Sequence, residues 1–290
     1  MTSPLLIRAK DQGGAGVFAS ITAADAGWEH LSMEARRLDA GMTFSGQTGN
    51  CESARVILGG SCHLRFSGGE YLHIGRRPNV FSGMPWAVYL PPGVEYEIEA
   101  ITDGFEMASC SVQAEDEFPA RLVTPLDCPV ELRGGENASR QINGILPPGF
   151  PCQRIVAVEV YTPGGNWSSY PPHKHDVHRV DADGALLEAD LEEIYFYKLD
   201  RPEGYAYQRV YSADRQLDEL VMAQTHDIVL VPEGYHPVVS AHGYTTYYLN
   251  FLAGSAQSLA NSDDPAYAWV KANWRSLDPR LPIVSLEMEP

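Results

Sequence analysis

Val229-Leu230-Val231-Pro232-Glu233-Gly234 repeats the pattern of Val88-Tyr89-Leu90-Pro91-Pro92-Gly93 at an offset of 141 residues (229 − 88). Each run is a short apolar, β-branched or aromatic segment stopped by proline and a turn glycine, which is how a buried strand running into a tight turn reads. At the same offset Ala100 falls on Ala241, and Glu52, followed by a strand-like run, falls on Glu193, also followed by one. Other runs of this kind are Ser53–Leu58 (SARVIL), Arg154–Tyr161 (RIVAVEVY), Ile194–Leu199 (IYFYKL) and Thr245–Leu252 (TTYYLNFL). The pattern predicts an all-β chain made of two copies of one barrel module. The modules are expected to join near Leu132–Pro151, a stretch rich in Gly, Pro and polar residues, giving an N-terminal unit of 1–140 and a C-terminal unit of 141–290. Two segments read as helices, Ala23–Arg37 and Asp264–Arg275.

The 290 residues suffice for two ordinary domains, and an apolar fraction of 44% with 20% charged residues is that of a globular protein. A formal net charge of −17 repels phosphate backbones and anionic lipid, so nucleic acid and membranes are not expected partners. The five cysteines form no C-x-x-C pair, which argues against a thiolate zinc site or a disulfide framework. The opening MTSPLLIRAKDQGGAG lacks a signal peptide's apolar run, and no stretch approaches 18 apolar residues. A cytoplasmic location is the expectation; a homo-oligomer is left open.

The chemistry concentrates in Tyr170-Pro171-Pro172-His173-Lys174-His175-Asp176. Residues two apart on a strand share a face, so His173 and His175 can meet one ion. Glu193 opens the next strand, and Pro232-Glu233-Gly234-Tyr235-His236 delivers a third imidazole just after a turn. Three imidazoles and a carboxylate suit a divalent transition metal with positions left for substrate. Glu192 competes with Glu193. Alternation puts Glu193, Tyr195 and Tyr197 on one face, and the offset match with Glu52 also favours Glu193. His178, His226 and His242 show no comparable pattern and read as surface residues or supports.

H-x-H, then Glu, then P-x-G and His, is similar to the two motifs of cupin barrels. The longer runs WSSYPPHKHD, LEEIYFYKL, YQRVYSADRQLDE, VLVPEGYHPV and YYLNFLAG resemble the 5-deoxy-glucuronate isomerase family of myo-inositol catabolism, related to the 5-keto-4-deoxyuronate isomerases. The resemblance is strong over roughly 155–285 and weaker over the N-terminal half, and it implies a bicupin whose N-terminal half is degenerate. It implies His173, His175, Glu193 and His236 as ligands of one divalent ion per chain. The His-rich set leans toward Zn²⁺, with Mn²⁺ and Fe²⁺ also compatible. The N-terminal copy keeps Glu52 but has no H-x-H before it, and Glu95 stands where His236 would.

The implied reaction is aldose–ketose isomerisation of a small sugar acid, 5-deoxy-glucuronate to 5-dehydro-2-deoxy-gluconate, through an enediol whose charge a chelating metal stabilises. Lys174, Tyr195, Tyr197, Glu219 and Tyr235 are the candidate proton carriers, and Arg209 or Lys174 the candidate partner of the substrate carboxylate. Two other readings share the ligand set: an iron-dependent cupin dioxygenase, and a sugar-acid-binding cupin without catalysis.

Overall fold

A computed structural model describes residues 3–10 and 13–288 of the chain. Strands dominate; two pairs of sheets use one strand order twice, and a small two-stranded sheet joins His173–Lys174 to Ser262–Asp263. In the first half a six-stranded sheet runs Arg121–Val123, Trp86–Leu90, Cys51–Gly59, Phe105–Gln113, Ser32–Leu38, Gly16–Ile21. Its companion runs Thr43–Gln47, Glu95–Ala100, Cys62–Phe66, Gly69–Ile74. The second half repeats this. A large sheet runs Ile228–Val231, Leu186–Leu199, Thr246–Gly254, Val156–Thr162, Arg140–Leu146, with Val130–Arg133 added at one edge and Leu6–Ile7 at the other. Its companion runs Trp167–Ser168, Val238–Ser240, Ala206–Tyr211, Asp218–Ala223.

Alternation along Cys51–Gly59 shows how the layers stack. Ile57 joins Leu64, Ile98 and Phe105 in a core between the two sheets of the first barrel. Ala54, Val56 and Leu58 point the other way, into a larger cluster shared with Val156, Ile194, Phe196 and Phe251 of the second. The two large sheets therefore pack on each other, and each strand contributes one face to its own barrel and one to the joint.

Charged groups cross this joint. Glu52 accepts hydrogen bonds from the backbone N–H groups of Gln153 (2.8 Å), Arg154 (2.7 Å) and Ile155 (3.0 Å) in the second half. Glu192 returns the arrangement, taking Glu29 (2.7 Å), His30 (3.0 Å) and Leu31 (2.8 Å) in the first. Glu52 is thus the counterpart of Glu192, not of Glu193. The 141-residue offset is one too long on this strand, because Ser53 pairs with Leu90 where Glu193 pairs with Val231. The offset match does not favour Glu193; alternation does.

Three expectations are corrected. Only Ala23–Ala26 of the first predicted helix is helical; Thr22 caps it, accepting from the N–H of Asp25 at 3.1 Å, and Gly27 ends it at φ 71°. Ser32–Leu38 is a strand despite good helix formers, because burying Met33 and Ala35 beside Phe105–Gln113 outweighs local propensity. Of Asp264–Arg275, only Ala268–Asn273 winds, as a 3₁₀ turn. The stretch read as a linker holds two paired strands, Val130–Arg133 and Arg140–Leu146, of the second large sheet, so that sheet begins ahead of the expected division at 140/141.

Candidate metal centre

His173 sits on a two-residue strand paired to Asp263, and His175 follows it on the same face. Glu193 lies midway along Leu186–Leu199, and His236 follows the turn after Ile228–Val231. These elements bring the ligand atoms of His175, Glu193 and His236 within 4.8 Å of one another, all buried. Glu193 Oε2 is 3.0 Å from His175 Nε2 and 3.2 Å from His236 Nε2. The His173 ring stands 4.9 Å, centre to centre, from that of His236, and with His175 and Glu193 it lines a cavity of about 90 Å³.

The outer nitrogens settle the tautomers. His175 Nδ1 is 3.2 Å from the Leu191 carbonyl and His236 Nδ1 is 2.9 Å from that of Gly234. A carbonyl only accepts, so both Nδ1 atoms carry hydrogen and both Nε2 atoms turn toward the Glu193 carboxylate, that of His175 within hydrogen-bond distance of it. Burial, with His175 nearby, pushes His236 down to about 4 against the pull of Glu193. Burial beside His236 and Arg140 holds His173 well below its usual range. Burial also opposes charge on His175, but Glu193 outweighs it and the net shift is upward. His236 Nε2 is buried with no hydrogen-bond partner. Imidazole nitrogens gathered around a buried carboxylate fit a divalent metal: His175, Glu193 and His236 form the cluster, and His173, with its ring against that of His236, is the candidate fourth ligand.

The proton-carrier candidates separate. Tyr195 lines the cavity, its hydroxyl 3.2 Å from Ser169 Oγ, and burial near Glu193 holds its phenol protonated. Tyr197 points the same way but is spent on Gln208 Oε1 at 2.8 Å, away from the cavity lining. Lys174 is tied to Asp176 and, at 2.7 Å, to Glu188. Tyr235 packs its ring 5.2 Å from that of Tyr211, and Glu219 sits opposite Val210 on the companion sheet; neither lines the cavity. Arg209 is bound to Asp218 at 2.7 Å, half-exposed on a different surface. His178 and His242 are exposed, as expected, whereas His226 is buried against Phe18 and Phe196.

Sequence reasoning missed Arg140. It is 5% exposed and lines the cavity, and its Nη1 has no hydrogen-bond partner among the described residues. Its signal was an arginine opening the strand-like RQINGIL, masked by the glycines and prolines around it. Tyr248, Ser169 and Asn250 also line the cavity; they fall within the runs WSSYPPHKHD and YYLNFLAG, where nothing singled them out individually.

The profile of the KduI/IolB family matches residues 5–270. A 5-deoxy-glucuronate isomerase of Geobacillus thermodenitrificans is 39% identical over 269 residues, covering 92% of this chain and 96% of that protein. One from Halalkalibacterium halodurans is 37% identical over 265 residues, covering 91% and 96%. An IolB-like protein of Salmonella typhimurium superposes with a TM-score of 0.87 at 34% identity, covering 92% of this chain and 99% of that one. Bacillus subtilis oxalate decarboxylase superposes at 0.62 with 14% identity, covering 91% and 80%, a likeness of bicupin fold alone.

Proposed function

Because the chain belongs to the KduI/IolB family, we propose that it isomerises 5-deoxy-glucuronate to 5-dehydro-2-deoxy-gluconate in cytoplasmic inositol catabolism, using one divalent ion, Zn²⁺ by its imidazole-rich donors. The carrying observation is one cavity lined by His173, His175 and Glu193 of the donor set and by a buried guanidinium with no ion pair among the described residues. A small sugar acid needs both: a place for its carboxylate and a Lewis acid for its carbonyl.

Arg140, rather than Arg209, is the proposed carboxylate partner, since a bidentate ion pair there would restore what burial withholds from the guanidinium. Arg133 lies along the same wall but is paired with Glu131 at 2.6 and 2.7 Å, so Arg140 is the cation left for a substrate carboxylate. A divalent ion bound by these residues would supply electrophilic stabilisation of oxyanion character on the substrate's oxygens. Tyr195, kept neutral by burial, donates a hydrogen bond to one of those oxygens, and Ser169 orients that hydroxyl. Val158, Val160 and Leu252 close the cavity with apolar surface and keep water from the reacting carbons. The proposed division of the chain into an N-terminal degenerate cupin and a C-terminal metal-binding cupin follows the repeated strand order, with the boundary between Val123 and Val130.

Turnover of 5-deoxy-glucuronate, measured before and after chelation in D₂O, tests this. Isomerisation without oxygen or nicotinamide, lost on chelation and restored by metal, is expected, with solvent deuterium at the new methylene carbon. No turnover by metal-replete protein would overturn the assignment.

A further inference from the structure

The first barrel contains a cavity of about 360 Å³ lined by Cys51, Ser53, Arg55, Tyr96, Ser109 and Ser111. Strand register shows it to be the counterpart of the metal cavity. Ser53 pairs with Leu90 and Ser111, where Glu193 pairs with Val231 and Leu252. Ser53 therefore occupies the place of the carboxylate Glu193, and Arg55, two residues on, that of Tyr195. Ser109 and Ser111 correspond to Asn250 and Leu252, which line the metal cavity. The first barrel has exchanged a metal-binding acid for a hydroxyl and gained a cation in the same interior.

Arg55 is 6% exposed, its Nε has no hydrogen-bond partner, and its guanidinium lies 3.8 Å over the Tyr96 ring. No ion pair to Arg55 occurs among the described residues. The acid on the cavity wall, Glu34, is itself taken by Arg36 at 3.0 Å. Burying a guanidinium without an acid is costly unless something else meets it. Tyr96 covers one flat face, which leaves the donor edge for a planar acceptor, and the serine hydroxyls suit a hydroxylated one.

We propose that this N-terminal cavity is a second binding site, for a small hydroxylated carboxylate, with the carboxyl group on Arg55 and the ligand's hydroxyls donating to the oxygens of Ser53 and Ser109, whose own protons go to the Cys110 (2.8 Å) and Glu34 (3.4 Å) carbonyls, and meeting Ser111. The site stands on the first barrel's own residues and does not depend on the isomerase reading.

Cys51 gives a local readout, because it lines this cavity and the other four cysteines are buried. The experiment measures alkylation of Cys51 by iodoacetamide in the full chain, with and without D-gluconate at constant ionic strength. Gluconate should slow alkylation of the wild type, and Arg55→Leu should weaken that protection about tenfold or more, the scale of a charge-assisted hydrogen bond. Arg55→Lys, which keeps the charge but loses the fork, should be intermediate and serves if the leucine variant does not fold. Isomerase turnover should stay within twofold of wild type in both. No protection of wild type by gluconate up to about 50 mM, well above the millimolar scale of weak specific binding, would overturn the proposal. So would protection unchanged in Arg55→Lys and Arg55→Leu.

Discussion

Glu159→Gln is the substitution on which the barrel-to-barrel joint can be judged. Glu159 is fully buried on Val156–Thr162 and faces Arg77 of the first barrel, itself 1% exposed, at 3.0 and 3.2 Å. Asn143 Nδ2 (2.9 Å) and Tyr247 Oη (3.2 Å) also donate to it, four hydrogen bonds in all, while Tyr161 Oη, 3.0 Å away, gives its one proton to the Val80 carbonyl at 2.6 Å. Arg77 also donates to the Ile57 carbonyl at 3.0 Å and to that of Gly83 at 3.3 Å, so it cannot swing out to water. Glutamine keeps the shape but removes the charge and, whichever way the amide turns, sets its NH₂ against an N–H of Arg77, which only donates. An uncompensated guanidinium at this depth costs about 3–5 kcal/mol. With an unfolding entropy of about 2.1 cal/mol/K per residue, 290 residues give about 0.6 kcal/mol per degree, hence a fall in melting temperature of about 5–8 °C. Arg77→Met with Glu159→Leu should recover most of that loss, because the pair leaves together; Tyr161 keeps its bond to the Val80 carbonyl, and only Asn143 and Tyr247 lose an acceptor. Thermal unfolding followed by circular dichroism measures all three. A single-variant cost below about 1 kcal/mol, the scale of an exposed pair, would refute the claim that the pair is desolvated and locked across the joint.

His236→Ala should abolish bound metal in elemental analysis and turnover together, while the melting temperature stays within a few degrees, because the barrel core does not rest on the ion. Arg140→Leu should raise KM for the carboxylate substrate by about 10- to 100-fold, with bound metal unchanged; an unaltered KM in initial-rate assays would return the carboxylate to another partner. Glu106 supplies a pH test. Burial opposes its charge, but His226 and Lys198 win, with Arg37 at 2.6 Å, and its carboxyl lies well below the ordinary 4.5. A depressed folded value stabilises the protein above pH 4.5 and loses that contribution as pH falls through it. The melting-temperature gap between wild type and Glu106→Gln should therefore be widest near neutrality and narrow on acidification below about pH 4; a gap independent of pH would contradict it.

What the sequence by itself determined was local in origin. Strand alternation at Glu193-Ile194-Tyr195-Phe196-Tyr197, the two-residue spacing of His173 and His175, and the turn before His236 each depend on neighbours a few residues away, and such patterns are written directly in residue order. The repeat of Val88–Gly93 at Val229–Gly234 announced the doubled fold for the same reason. Tertiary structure decided the rest. Arg140 became the buried cation of the metal cavity because Arg140–Leu146 pairs with Val156–Thr162, a contact absent from its own composition of glycines and prolines. Arg209 pointed outward to Asp218 instead. Glu52 proved the counterpart of Glu192 rather than Glu193 because a one-residue change of register exchanges the faces of a strand. Ser32–Leu38 left the helix its residues favour because burial against Phe105–Gln113 is worth more than the small propensity difference per residue. Which side chain meets which is set by pairing between distant strands, and pairing is an energy of the whole sheet that no window of sequence contains.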